Sequence, residues 1–184
     1  GHAGKTGYLV RGYKRRCQME KGLSEGETLL DQLFPAKAED IGQYSPLTLA
    51  YIGDAAYELI VRSLLLRQGN APVQKLHRRA SQLVKAPAQA RMIRRLSQQG
   101  YLSEAEEAVY KRGRNAKSHT VARHASVSEY RMATGFEALM GWLYLKKDYG
   151  RMLTLIRKGL DAGMEQILGL DQKDGCSPVL EEDL

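Results

Sequence analysis

Apolar residues return at three- and four-residue intervals through most of this chain, a spacing that predicts helices packed into an all-α bundle. The first helix opens at Ser45-Pro46, with serine as N-cap and proline in the first turn, where a missing N–H is harmless, and Gln68-Gly69-Asn70 stops it. Along it Leu49, Gly53, Ala56, Ile60 and Leu64 recur at helical spacing, and an alternating strand pattern is absent. A second helix starts at Pro72 and carries Val73, Leu76, Ala80, Leu83 and Val84 on one side, leaving Lys75, Arg78, Arg79 and Gln82 for the other. A third runs from Ala86-Pro87 to Gly100, with Ala90, Ile93 and Leu96 among its apolar positions and Arg91, Arg94 and Arg95 added to the basic ones.

Ser103 with Glu106, and Ser126 with Glu129, have the spacing of capping boxes. The first predicts a short helix through Val109; the second leads a helix that buries Met132, Phe136, Leu139, Met140 and Leu143. Between them, residues 111–118 show no apolar period and are expected to form a basic loop. One last helix is expected from Asp148, with Leu153, Ile156, Leu160, Met164 and Ile167 continuing the spacing.

A chain of 184 residues, 43% hydrophobic and 27% charged, is long enough for one globular domain, which the pattern places at residues 29–169. Residues 1–28 are expected to be a tag scar or flexible extension, because Gly1-His2 begins without methionine and Met19 is a candidate start. Residues 170–184 turn polar and acidic and are expected to be a flexible tail. No run approaches the roughly 18 apolar residues that cross a bilayer, and no secretory signal opens the chain, so the expectation is a cytoplasmic protein with no membrane partner. Cys17 and Cys176, both outside the expected core, are read as free thiols.

The net charge of +7 hides an asymmetry: residues 75–123 hold twelve Lys or Arg against three Glu. Basic side chains spread over several elements favour a polyanion such as nucleic acid over a merely solvated face. Within this stretch Arg112, Arg114, Asn115 and Lys117 are the first candidates for contacts to nucleic-acid phosphates. Arg78 and Arg79 are further candidates, although helical arginines often only cover apolar surface with their stems.

Two acids stand out by their surroundings. Asp54 lies mid-helix in Leu49-Ala50-Tyr51-Ile52-Gly53-Asp54-Ala55-Ala56, and Glu137 lies in Phe136-Glu137-Ala138-Leu139-Met140-Gly141, each with a glycine beside or near it among apolar neighbours. A carboxylate in apolar surroundings needs a cation, a metal or a wet cleft, and a mid-helix glycine signals close approach of another backbone. If Gly53 and Gly141 let the helices pack closely, Asp54 and Glu137 meet in one cleft and offer oxygen ligands to a hard cation. The other reading, left open by spacing alone, pairs each acid with a basic residue across the helix interface. Tyr51, Phe136 and Trp142 are read most simply as core. Glu58, one turn past Asp54, is an outer ligand or the partner of a nearby arginine, and His77, His119 and His124 lack metal-ligand spacing.

The segment Leu49-Ala50-Tyr51-Ile52-Gly53-Asp54-Ala55 is similar to the signature helix of ribonuclease III, and Phe136-Glu137-Ala138-Leu139-Met140-Gly141-Trp142-Leu143-Tyr144-Leu145 resembles its second acidic motif. With the basic segment between them and no double-stranded-RNA-binding domain after them, residues 40–168 resemble Mini-ribonuclease III, the short bacterial form. The resemblance implies a compact, homodimeric ribonuclease III-type domain, with the face around Tyr51 in the dimer interface. It implies hydrolysis of both strands of duplex RNA dependent on Mg²⁺, with Mn²⁺ as a substitute, and products with 5′-phosphate and 3′-hydroxyl ends. The implied role is maturation of the large-subunit (23S) ribosomal RNA precursor, with the large ribosomal subunit or a ribosomal protein as a further partner. Carried over by motif position, Asp54 and Glu137 are the metal-binding catalytic pair. The chain departs from the full-length pattern at Ala50 and Thr134, where acids are expected, which favours fewer protein ligands per ion. Those two positions also sustain the alternative of a non-catalytic duplex-RNA-binding or ribosome-assembly factor on the same fold. A helical interaction protein with no RNA partner would leave the basic stretch unexplained.

Overall fold

The computed structural model describes residues 30, 32–34, 40–117 and 126–170. The chain divides into two compact units, Gly1–Asp40 and Ile41–Leu184. In the first, the Phe34 N–H donates to the Leu30 carbonyl at 2.8 Å and closes a turn. The readings of residues 1–28, of the tail beyond residue 170 and of both cysteines lie outside the described residues.

In the second unit a 3₁₀ turn (Ile41–Gln43) precedes α1 (Pro46–Leu66), α2 (Val73–Val84), α3 (Ala86–Gln98), α4 (Glu104–Arg114), α5 (Val127–Leu145), α6 (Tyr149–Gly159) and α7 (Ala162–Ile167). The described residues form no strand, and no helix among them is long and apolar enough to cross a membrane. Local chemistry sets the helix ends. The Ser45 hydroxyl accepts the Thr48 N–H at 3.1 Å, both predicted capping boxes form, and Gly100 leaves α3 at φ +67°, where only glycine is unstrained.

The central helix is α5, which packs on α1, α3, α4 and α6 and is buried on nearly all sides from Ala133 to Leu143. A helix apolar all round belongs in the middle of a bundle rather than on its surface. Around it Tyr57 and Phe136, both 0% exposed, meet edge to face at 5.1 Å, and the Tyr57 hydroxyl donates to the Leu83 carbonyl. Glu106 is as buried as the core and accepts the Arg151 Nε–H at 2.8 Å as well as the Ser103 N–H. Burial pushes its carboxyl up, but the Arg151 and Ser103 hydrogen bonds outweigh this and hold it below the usual range, so one acid caps α4 and ties it to α6.

The closest approach is between α1 and α5. A methyl group on Gly53 would overlap the Glu137 carbonyl and the Gly141 amide, and one on Gly141 would overlap the Leu49 carbonyl. The two backbones touch with no side chain between them.

Three expectations are corrected. The helix expected to stop at Val109 runs on to Arg114, because Tyr110 and Gly113 pack against Gly135, Thr134 and Ala138 of α5, and Lys111, Arg112 and Arg114 suit a helix C-terminus. The described part of the expected basic loop is therefore mostly a helical turn. The single last helix is two, broken at Leu160 and restarted by Asp161, whose carboxylate accepts the Met164 N–H at 2.9 Å. Within α6 it is Met152, Leu155 and Ile156 that face inward, while Leu153 is exposed; Val73, likewise expected on an inner face, is exposed at the start of α2.

Gly53→Ala is expected to destabilise the fold by about 1–3 kcal/mol through overpacking, although alanine is the better helix former by about 1 kcal/mol. Urea unfolding of the two proteins measures the difference, and an unchanged midpoint would show that the helices can separate freely.

Candidate active site

The contact at Gly53 fixes where the neighbouring acids go. Asp54 follows Gly53 on α1 and Glu137 supplies the backbone that Gly53 touches, so both side chains open into one cleft of about 440 Å³. Ala50, Tyr51 and Glu58 of α1 and Tyr130 and Thr134 of α5 also line it. Asp54 stands exposed on the cleft wall rather than sunk among apolar neighbours, and Glu137 is the more buried of the two.

Neither acid has an ion pair among the described residues, so the expected alternative of a salt bridge between the helices is not found among them. Burial and the neighbouring Asp54 charge push the Glu137 carboxyl up to about 8, a rise that the Gln89 amide partly opposes. Asp54 is raised as well, by burial first and by Glu58 second. Two carboxylates whose proton affinities are both raised, with no cationic side chain among the described residues paired to either, fit a hard divalent cation, which takes one or two carboxylates and keeps several waters. No group of three or more His, Cys, Asp or Glu among the described residues is gathered for a metal.

Glu58 lines the same cleft but forms an i,i+4 ion pair with Arg62, the bland half of its expected roles. The Thr134 hydroxyl donates to the Tyr130 carbonyl at 3.1 Å, and Ala50 contributes only a methyl group. Tyr51, read as core, is 82% exposed, while Phe136 is buried and Trp142 half-buried. His77 sits on α2 outside the cleft, and His119 and His124 lie outside the described residues.

The basic candidates divide by what they touch. Gly113 abuts Thr134 one turn before Glu137, which brings the end of α4 beside the cleft helix; there Arg114 lies 5.9 Å over the Tyr110 ring, and Asn115 and Lys117 are exposed. Arg112 reaches the Tyr44 carbonyl at 3.4 Å. Arg78 is exposed on α2, but Arg79 is half-buried and donates through Nε and Nη2 to the Ile167 carbonyl at the end of α7. Sequence reasoning missed Gln89, fully buried on α3 next to Glu137. The signal was present, since Gln89 falls four residues before Ile93 and seven before Leu96, on the apolar face.

Residues 47–148 match the Ribonuclease III domain, which makes the chain an endoribonuclease, a hydrolase of RNA. The chain is 47% identical over 120 residues to Mini-ribonuclease 3 of Clostridium tetani, covering 65% of this chain and 78% of that one. To Mini-ribonuclease 3 of Enterococcus faecalis it is 48% identical over 117 residues, covering 64% and 89%. A crystal structure of a Fusobacterium nucleatum protein superposes with a TM-score of 0.60 at 32% identity, over 65% of this chain and 96% of that one. The chain belongs to the Mini-ribonuclease 3 family, the short branch of the ribonuclease III class.

A carboxyl whose folded pKa is raised keeps its proton where the unfolded chain has lost it. With Glu137 near 8 against 4.5, metal-free protein is expected to lose stability as pH climbs from 4.5 to 8. Glu137→Gln removes that loss and is expected to be the more stable protein at pH 8 by about 1–3 kcal/mol, the scale of relieving a buried unpaired polar group. Thermal melts in chelator across this range check the sign; a wild type that gains stability over the window would contradict it.

Proposed function

We propose that this chain is a metal-dependent endoribonuclease that cuts double-stranded RNA, with Asp54 and Glu137 as the catalytic pair that holds Mg²⁺ or Mn²⁺. The observation that carries the reading is the pair itself: two carboxylates, with no ion-pair partner among the described residues, in one cleft of a ribonuclease III domain. A divalent cation there supplies a more acidic water and offsets charge on the scissile phosphate. Asp54, on the open wall, meets solvent and substrate, while Glu137 anchors from the buried side. Products would carry 5′-phosphate and 3′-hydroxyl ends, and the substrate would be the 23S precursor, as the family resemblance implies, met alone or on the large ribosomal subunit.

Arg112, Arg114, Asn115 and Lys117 supply the phosphate contacts nearest the cleft, and Arg78 a more distant one; Arg79, engaged with Ile167, is the weakest of the set. A homodimer is part of the proposal. Leu47, Tyr51 and Leu59 leave exposed apolar surface at four- and eight-residue separations along α1, with Leu66 seven residues on, which is the surface a second helix of the same kind would cover.

Asp54→Asn is expected to keep duplex binding and to lose cleavage by about 10³-fold or more, as removal of several kcal/mol of cation-borne stabilisation requires. End-mapping of a labelled duplex with Mg²⁺ or with chelator reads this out. A wild type that binds but never cuts would instead support the non-catalytic factor to which Ala50 and Thr134 point. Arg114→Ala and Lys117→Ala are each expected to lower the slope of log affinity against log salt by about 1, with equal weakening across duplex sequences. Slopes equal to wild type would place the RNA on another face.

A further inference from the structure

Gln89 is the one buried side chain among the described residues whose polar atoms complete no hydrogen bond of good geometry, at either Nε2 or Oε1. It is 0% exposed on α3, which packs directly on α5. A buried amide left open is costly, and native folds keep few of them without a reason. Its neighbour supplies one. The amide comes near enough to Glu137 to draw that carboxyl's pKa down, and it is the only hydrogen-bonding side chain among the described residues to do so. Glu137 lines the cleft whereas Gln89 does not, so the amide meets the carboxyl from the protein side.

We propose that Gln89 is a positioning residue for Glu137: its amide, which completes no hydrogen bond in the metal-free fold, donates an N–H to the carboxylate from the buried side once a divalent cation draws that carboxylate into place, and so fixes its orientation. The residue type fits the task. A lysine or arginine in this place would form an ion pair with Glu137 and compete with the cation for it, whereas a neutral amide orients the carboxylate and leaves its charge available. Side chains that hold metal ligands from behind act on affinity in this way. The inference rests on the reading of Asp54 and Glu137 as the cation site and adds a third residue, from a third helix, to it.

The test is a Mn²⁺ titration of metal-free protein, followed by the electron paramagnetic resonance signal of the free ion, with wild type, Gln89→Leu and Gln89→Met. Both variants are apolar and near in volume to glutamine, so one substitutes for the other if either fails to fold. The expected result is Mn²⁺ affinity weakened about 10-fold or more, with duplex-RNA affinity in chelator unchanged and the unfolding midpoint in chelator equal to wild type or higher. A purely structural amide would lower that midpoint, and that result overturns the proposal. Wild-type affinity for Mn²⁺ in a folded variant overturns it too and leaves the Asp54 and Glu137 site standing. If wild type itself takes up no Mn²⁺, the site reading has failed, and the role of Gln89 falls with it.

Discussion

Two helices with glycine at their crossing can approach until one backbone rests on the other, and the contact of Gly53 with Glu137 and Gly141 is such a crossing. Because peptide groups meet without side chains between them, rotation of either helix is restricted to what a carbonyl and an amide allow. The acids at the crossing are thereby placed by main-chain packing, the stiffest material in the fold, and not by the rotamers of long side chains. The same device recurs on another side of α5, where Gly113 sits against Gly135 and Ala138 and brings the basic end of α4 alongside. Site and flanking charge are therefore both located by close contacts to one central helix.

The electrostatics follow a division of labour. Away from the cleft, acids are satisfied: Glu106 by Arg151 and a cap, Asp161 by Arg91 and the first turn of α7, Glu165 by Arg157. Within it, Asp54 and Glu137 have no such partner among the described residues, and the raised proton affinity of Glu137 is the stored cost. On the proposed reading, a divalent cation entering the cleft would relieve that cost and stabilise the fold by binding.

Much of this was legible in the sequence. Helix starts were read from Ser45, Ser103 and Ser126 because capping is local chemistry, and the α1 and α5 crossing was read from glycines that make no sense in an isolated helix. What failed was decided by contacts between elements. The end of α4 was read as loop because residues 111–118 show no apolar period, yet Gly113 within it packs directly on Gly135 and Ala138 of α5. The break at Asp161 was invisible because the apolar spacing continues through it, while the acid that restarts the helix resembles any surface acid. The cleft expected for Asp54 is present, but Tyr51 beside it, read as core, is exposed and lines the same cleft. The role of Arg79 depends on where the chain returns 88 residues later, which no local pattern records.

The short helix α7 is clamped at both ends by arginines from the basic stretch: Arg91 holds its N-cap acid at 3.0 Å, and Arg79 takes the carbonyl at its far end. Two of the charges that give the sequence its basic appearance are thus already engaged by α7, Arg79 half-buried and Arg91 at the surface. Each has an internal partner that an external anion would have to displace, so a count of basic residues along the sequence overstates the cations that the folded surface holds ready.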